Sequence, residues 1–348
     1  MRAGQSRLPN KCEGARVDPV GVGFIGLGQT VNLWHTPFIA GSSLVRAVAG
    51  VDITPARRDL MAPHIHGPVG AEIDSLLANP EVEIVVVATP HRFHKEHVIA
   101  SLEAGKHVIC EKPLGLNLAD AREIAEVANR CQRYASVYQN RRFDADSLAI
   151  KKAVDGGAIG DLISISRAHY RDRPHTDMAA QEYRPDWRLE SWAGHLIDWG
   201  PHLLNQLQHF AGAKPKSVYC HLRGVKWTTE SDDFFTLLVE FENGVLGKAE
   251  VCVFAHDGQK EWHLIGSEAT LSCQGWGEPI YVYGSNGDKT EVKTGEHRWA
   301  DIYESLARFI RGEGEPAVST REALETMELI EAARISAQTG RSVDLPLS

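Results

Sequence analysis

Between residues 20 and 140 short apolar runs alternate with helical stretches, and this alternation restricts the possible folds more than any other feature of the chain. Runs at 20–25, 44–51, 83–88, 107–110 and 134–138 read as strands. The first four are nearly continuous in apolar residues, as expected of strands covered on both faces. Stretches at 31–40, 54–61, 73–79, 95–104 and 119–131 read as helices. The last is clearest, with Ala121, Ile124, Ala125, Val127 and Ala128 at helical spacing. A β-α-β-α series of this kind predicts an α/β doubly wound parallel sheet.

Past about Arg142 the pattern changes. A helix at 144–155 and an extended run at 162–170 precede a loop rich in Arg, Pro and Trp, then a helix around 201–210. Closely spaced strands follow at 217–225, 233–242, 245–254, 261–265, 269–273 and 279–283. Asn243-Gly244 and Asn286-Gly287 are hairpin signals. Short links imply antiparallel pairing, so this half is expected to be an α+β domain with a large, open, mostly antiparallel sheet. Helices at 299–311 and 321–339 close the chain. The expected organisation is a polar tail over 1–18, a nucleotide-binding domain over 19–142 and an α+β substrate and oligomerisation domain over 143–348.

The length of 348 residues fits two domains at about 150 each. A formal charge of −9, with no basic run, disfavours nucleic acid as a partner. No apolar run approaches the roughly 20 residues of a membrane span. The six cysteines form no Cys-x-x-Cys pair, which fits reduced thiols, and the polar N-terminus lacks a signal-peptide core. The expectation is a cytoplasmic protein.

The first strand runs into Gly26-Leu27-Gly28-Gln29-Thr30-Val31. Glycines at such a turn let backbone N–H groups approach a pyrophosphate at a helix N-terminus. Val31 stands where a third glycine would complete the fingerprint. Asp52, 24 residues beyond Gly28 at the end of the second strand, is placed to hydrogen-bond an adenosine ribose and repel a 2′-phosphate. This favours NAD, with NADP left open by nearby Arg57 and Arg58. A Rossmann domain is therefore expected.

Four segments now occur in order: Gly26-x-Gly28, Ala88-Thr89-Pro90 through His94, Glu111-Lys112-Pro113, and Asp198-Trp199-Gly200-Pro201-His202. In these the chain resembles the glucose–fructose oxidoreductase, inositol dehydrogenase and rhizopine-catabolism (Gfo/Idh/MocA) family, from Val20 onward. Glu-Lys-Pro after a sheet strand, with Asp-x-x-x-His about 85 residues later, is far more specific than the glycine turn. The resemblance implies an NAD(P)-dependent dehydrogenase or reductase acting on a sugar, inositol or derivative. It implies that Lys112 holds the reacting oxygen, His202 accepts the proton and Asp198 assists. The implied cofactor contacts are Gly26, Gly28, Gln29, Thr30, Asp52, Thr89, Pro90, His94, Glu111 and Lys112. Relatives often carry a cis bond at the position of Lys112-Pro113. Two departures stand out: Asn205 occupies a position that is usually Asp, and relatives usually have a glycine pair near Ala193-Gly194.

The residues support this chemistry independently. His195, Asp198 and His202 are spaced i, i+3, i+7 and would share a helix face, although Pro201 suggests that the regular helix starts there, with Asp198 in the preceding turn. Histidine titrates near working pH, and an adjacent carboxylate supports its charged form. Lys112, just past a parallel strand's carboxyl end, points into the crevice where such sheets bind ligands. The loop from Tyr170 to Trp199 also carries Tyr183, Trp187 and Trp192, with Arg171, Arg173, Arg184 and Arg188. Aromatic faces and guanidinium forks suit a polyhydroxylated ring, and Tyr183, Trp187 and Arg188 are the expected substrate contacts beside Lys112, Asp198 and His202. His91, His94 and His97 repeat every three residues, but no acid or cysteine completes a tetrahedral metal set, so no metal is expected. Cys110 reads as a buried small hydrophobe.

The reading is hydride transfer between a secondary carbinol of a polyol or sugar and a nicotinamide. Open sheets are usually covered by self-association, so a homodimer or homotetramer is expected. Two alternatives remain: a hydrolase that retains NAD and oxidises a sugar transiently to permit elimination, and a cofactor-binding sensor without catalysis.

Overall fold

The computed structural model describes residues 18–173 and 193–347. Strands β1 (Val20–Ile25), β2 (Val45–Val51), β3 (Val69–Gly70), β4 (Ile84–Val87), β5 (His107–Cys110) and β6 (Ala135–Val137) form one sheet in the order β3-β2-β1-β4-β5-β6. Every pairing in it is parallel. β1 and β4 are buried along their whole length, which accounts for their unbroken apolar runs. The strand order reverses between β1 and β4, and the crevice at the carboxyl ends of these strands is where open α/β sheets take ligands.

The connecting helices are α1 (Thr36–Ala40), α2 (Pro55–Met61), α3 (Ile73–Leu77), α4 (His94–Glu103) and α5 (Leu118–Arg130). The segment read as one helix over 31–40 opens with a π-helical turn at Val31–His35 before α1. Asn117 caps α5, its side chain accepting from the Asp120 N–H at 2.9 Å. The anticipated apolar stripe of α5, from Leu118 through Ala121 and Ile124 to Val127 and Ala128, is buried.

A second sheet follows α6 (Ala145–Asp155). It contains β7 (Leu162–Tyr170), β8 (Pro215–Arg223), β9 (Phe234–Phe241), β10 (Leu246–Cys252), β11 (Trp262–Gly266), β12 (Thr270–Cys273), β13 (Ile280–Tyr283), β14 (Lys289–Val292) and β15 (Val343–Asp344). The order is β14-β13-β12-β11-β7-β10-β9-β8-β15. All neighbours pair antiparallel except β7 and β10. Between β7 and β8 lie the one-turn helix α7 (His195–Asp198) and α8 (Gly200–Ala211), packed on one face of the sheet. β3, β14 and β15 were not anticipated as strands.

Two helices close the chain, α9 (Asp301–Ile310) and α10 (Thr320–Thr339). α9 returns to the first sheet. Its Ile302, Tyr303, Leu306 and Ala307 share a buried cluster with Val20, Val22, Phe24 and Ile84. Arg311, just past α9, holds Glu83 beside β4 through two hydrogen bonds of 2.7 and 2.9 Å. α10 starts with a capping box between Ser319 and Glu322 and buries Leu329, Ile330 and Ala333 in the core shared by α5, α8 and β8. Among the described residues, no helix is long and apolar enough to cross a membrane. Residues 1–17 of the expected tail, and Tyr183, Trp187 and Arg188, lie outside the described residues.

Candidate active site

The glycine turn is built for close approach. Gly26 has φ +92°, and a Cβ there would lie 2.7 Å from the Ala88 carbonyl oxygen, so only glycine fits between β1 and β4. A Cβ on Gly28 would meet nothing within 4 Å, leaving the backbone beside it open to a ligand. The Gly28 carbonyl accepts from Val31 N–H at 3.1 Å, which starts the helical turn from Gln29 and Thr30 immediately after the glycines.

Asp52 serves this turn directly. One carboxylate oxygen accepts the Leu27 N–H and the other the Thr54 N–H, each at 2.8 Å, and Arg57 Nη1 lies 3.6 Å away. Burial raises the Asp52 pKa, but those N–H groups and the Arg57 charge outweigh it, so the carboxyl is held below its ordinary range. Arg58 donates to the Asp52 and Ile53 carbonyls at 2.8 and 3.2 Å. An open glycine backbone beside an ionised carboxylate at the end of β2 fits a nicotinamide dinucleotide: the turn would hold the pyrophosphate, and Asp52 a ribose hydroxyl.

The next wall of the crevice comes from Thr89, Pro90 and His94. The buried His94 ring spans two carbonyls, with Nδ1 2.8 Å from Pro113 O and Nε2 2.9 Å from Thr89 O. It thereby ties the turn after β4 to the one after β5. Burial pushes its pKa down. His97 Nδ1 is 3.0 Å from Thr89 Oγ1, so these rings brace the wall. No group of three or more potential metal ligands occurs among the described residues.

Glu111 and Lys112 follow β5. Glu111 Oε1 is 2.9 Å from His35 Nε2, and His35 Nδ1 meets the Tyr303 hydroxyl. The His35 ring also stacks on Tyr138, centroids 4.2 Å apart. This buried strut links the π-helical turn, β5 and α9. Burial raises the Glu111 pKa, but His35, Lys112 and His94 together hold it below the ordinary value.

The Lys112–Pro113 peptide is cis, as the resemblance implied. Lys112 Nζ donates to the Asp198 carbonyl at 3.0 Å and to its carboxylate Oδ1, joining β5 to α7. α7 ends at Asp198 and α8 starts at Gly200, so Pro201 stands in the first turn of α8, where its missing N–H costs nothing. His202 is 8% exposed, and its buried Nδ1 has no hydrogen-bond partner among the described residues. Burial above all pushes the His202 pKa well below its usual value. The Lys112, Arg141 and Arg167 charges act in the same direction, and Asp198 opposes them.

Asp232 fixes the start of this segment. Its Oδ2 accepts the Leu196 N–H at 2.8 Å, and its carbonyl accepts the His195 N–H at 3.2 Å. Gly194, at φ +81°, is required because a Cβ would fall 1.9 Å from Asp232 Oδ1. Burial pushes the Asp232 carboxyl up to about 7.

Several residues of the site escaped the sequence reading. His169 stacks on Trp199 with centroids 3.5 Å apart. Arg167 donates to Gln206 at 3.0 Å and to Glu261 at 3.3 Å. Among the described residues, Gln139 Oε1 and Asn205 Oδ1 are buried without partners, a state that costs about 1–3 kcal/mol each unless a ligand or water satisfies them. One signal was available: Arg167 and His169 share the covered parity of β7 with Ile165, an unusual place for charge.

Comparisons with known proteins identify the family. Residues 20–139 match the family model of the oxidoreductase family NAD-binding Rossmann fold, and residues 147–272 match the GFO/IDH/MocA C-terminal domain. The NADP(+) scyllo-inositol 2-dehydrogenase of Bacillus subtilis (strain 168) is 26% identical, covering 95% of this chain and 97% of the relative. The trans-1,2-dihydrobenzene-1,2-diol dehydrogenase of Bos taurus is 31% identical over 58% of each chain. The solved structure of an NAD-binding protein from Listeria innocua superposes with a TM-score of 0.82 at 26% identity, covering 94% of this chain and 100% of that one. The chain belongs to the Gfo/Idh/MocA family of NAD(P)-binding oxidoreductases.

Proposed function

We propose that the protein transfers a hydride between a secondary alcohol of a sugar, cyclitol or sugar derivative and the nicotinamide, with Lys112, Asp198 and His202 as its catalytic residues. The observation that carries this reading is the Lys112–Asp198 pair at the ligand end of the parallel sheet, four residues before the largely buried, neutral His202. When bound, the dinucleotide supplies the redox equivalent. Gly26, Gly28, Gln29, Thr30 and Asp52 hold its adenosine half, while Thr89, Pro90, His94, Glu111 and Lys112 form the wall beside it.

Oxidation of an alcohol requires a base for the hydroxyl proton. His202 is that base: its neutral ring accepts the proton, and Asp198 stabilises the imidazolium that results. Lys112, fixed by both the carbonyl and the carboxylate of Asp198, directs a remaining N–H at the substrate oxygen and stabilises developing alkoxide charge. Gln139 Oε1 and Asn205 Oδ1 are acceptors suited to further hydroxyls. The two relatives are named for scyllo-inositol and a cyclic dihydrodiol, both of which are vicinal ring alcohols. Tyr183, Trp187 and Arg188 are proposed as additional substrate contacts.

The outer face of the second sheet exposes Tyr219 beside Leu238, and Leu246 and Ile265 on either side of Ser164. A second copy of this chain would cover that face in a homodimer or homotetramer. Five unpaired cysteines among the described residues fit a reducing, cytoplasmic setting.

The test of the reaction is nucleotide reduction, followed by absorbance, with NAD or NADP and a panel of inositols, aldoses, cyclic diols and sugar acids. Reduction with at least one member is expected. A protein that binds dinucleotide yet reduces it with none, while cleaving a glycoside, would instead be the hydrolase described above.

A further inference from the structure

The alcohol chemistry leaves one guanidinium beside the reacting centre without a task. Arg141 lies in the short helical turn Asn140–Phe143 after β6, at the same end of the parallel sheet as Lys112. Its backbone carbonyl accepts from Gln206 Nε2 at 2.8 Å, which anchors the turn to α8 one helical turn beyond His202. Its guanidinium carbon lies 5.6 Å from the ring centroid of Trp199 and 5.7 Å from that of Trp276. Trp199 is in turn 5.7 Å from the His202 ring. Two indoles therefore orient the guanidinium close to the base.

The use made of its five N–H groups is uneven. Nη1 meets Asp144 Oδ2 at 3.3 Å. That carboxylate is shared, since Oδ1 also accepts Trp299 Nε1 at 2.8 Å and faces His297 at 3.6 Å. Among the described residues, Nε and Nη2 donate to nothing, although the side chain is only 23% exposed. These two N–H groups form the parallel edge of the guanidinium that matches a carboxylate bidentately. Arg167 differs: its 5%-exposed side chain is committed to Gln206, Ala168 and Glu261. The field at His202 has the same bias, with three cations acting on the ring against Asp198.

We propose that the substrate carries a carboxylate on the ring or chain that bears the reacting carbinol, and that the Nε–Nη2 edge of Arg141 binds it. The substrate class is then a sugar acid or a carboxylated cyclic polyol. This inference rests on the oxidoreductase reading for the identity of the reacting group, but not for the binding of the anion. A carboxylate fits better than a phosphate because, among the described residues, the one fork left open beside His202 is that of Arg141, with Arg167 already engaged, and one fork matches one planar anion.

The experiment is calorimetric titration of the dinucleotide-loaded protein with matched pairs: glucuronate and glucose, galacturonate and galactose, gluconate and glucitol, with glucose 6-phosphate alongside. Nucleotide reduction is followed on the same compounds. At least one acid is expected to bind about tenfold more tightly than its neutral partner. Arg141→Gln should abolish that preference, and Arg141→Lys, which keeps the charge but loses the fork, should restore part of it. Both variants are first matched to the parent by thermal melting; if only the lysine variant folds, a preference intermediate between parent and none is expected from it. Acids that bind no more tightly than their partners, a preference that persists in Arg141→Gln or is undiminished in Arg141→Lys, or tighter binding of the phosphate than of every acid would each overturn the proposal. Arg141-dependent binding of an acid without any nucleotide reduction would uphold the anion site and refute the oxidoreductase reading; reduction with neutral compounds and no acid preference would do the reverse.

Discussion

At His202 the protein sets a titratable ring where burial and the Lys112, Arg141 and Arg167 charges all favour the neutral form. The sign of the consequence is fixed. A base must be unprotonated to act, and a lowered pKa moves its protonation to lower pH. For alcohol oxidation, kcat/KM should therefore stay level through neutrality and fall only well below pH 6.5, the ordinary histidine value. A pH profile with its acid limb at or above 6.5 would assign the proton transfer to another group. Asp52 shows how far a single residue was legible. Its position at the end of β2 was readable and is the basis of the proposed ribose contact, whereas its hydrogen bond to the Leu27 N–H, which braces the glycine turn, carried no sequence signal.

At the scale of elements, legibility followed the strength of the local pattern. β1, β2, β4 and β5 were readable because burial on both faces demands unbroken apolar runs. β3, with two residues, and β14, largely exposed, leave no such trace. The π-helical turn at Val31–His35 was read as ordinary helix because its composition does not distinguish the two; the structure sets His35 there against Glu111 and Tyr303, partners 76 and 268 residues away. The break between α7 and α8 was legible from Pro201. The parallel pairing of β7 with β10 was not, because the rule that short links give antiparallel neighbours says nothing about strands separated by α7 and α8. Lys112, Asp198 and His202, the proposed catalytic set, stand out by motif and spacing, and the structure brings them close together. Arg141, His169 and Asp232 enter the site only through tertiary packing.

For the whole molecule, the site is a junction. Lys112 comes from the end of the parallel sheet, while Asp198 and His202 come from helices on the second sheet. α9, late in sequence, packs on the first sheet, so a second contact besides the Lys112–Asp198 pair joins the two halves of the chain. Among the described residues, the outer face of the second sheet exposes apolar side chains, and these predict self-association. Sedimentation at micromolar concentration should show a dimer or tetramer, and Leu238→Glu should shift it towards monomer; a parent chain that sediments as a monomer would contradict the proposed assembly. The central claim is that Lys112 and His202 carry the chemistry. The most direct test is the rate of nucleotide reduction, with the best substrate, of the parent, Lys112→Met and His202→Asn, alongside the dinucleotide affinity of His202→Asn. Both variants should lose at least about 100-fold in kcat, with His202→Asn still binding dinucleotide; turnover at the parental rate in either variant would contradict the assignment.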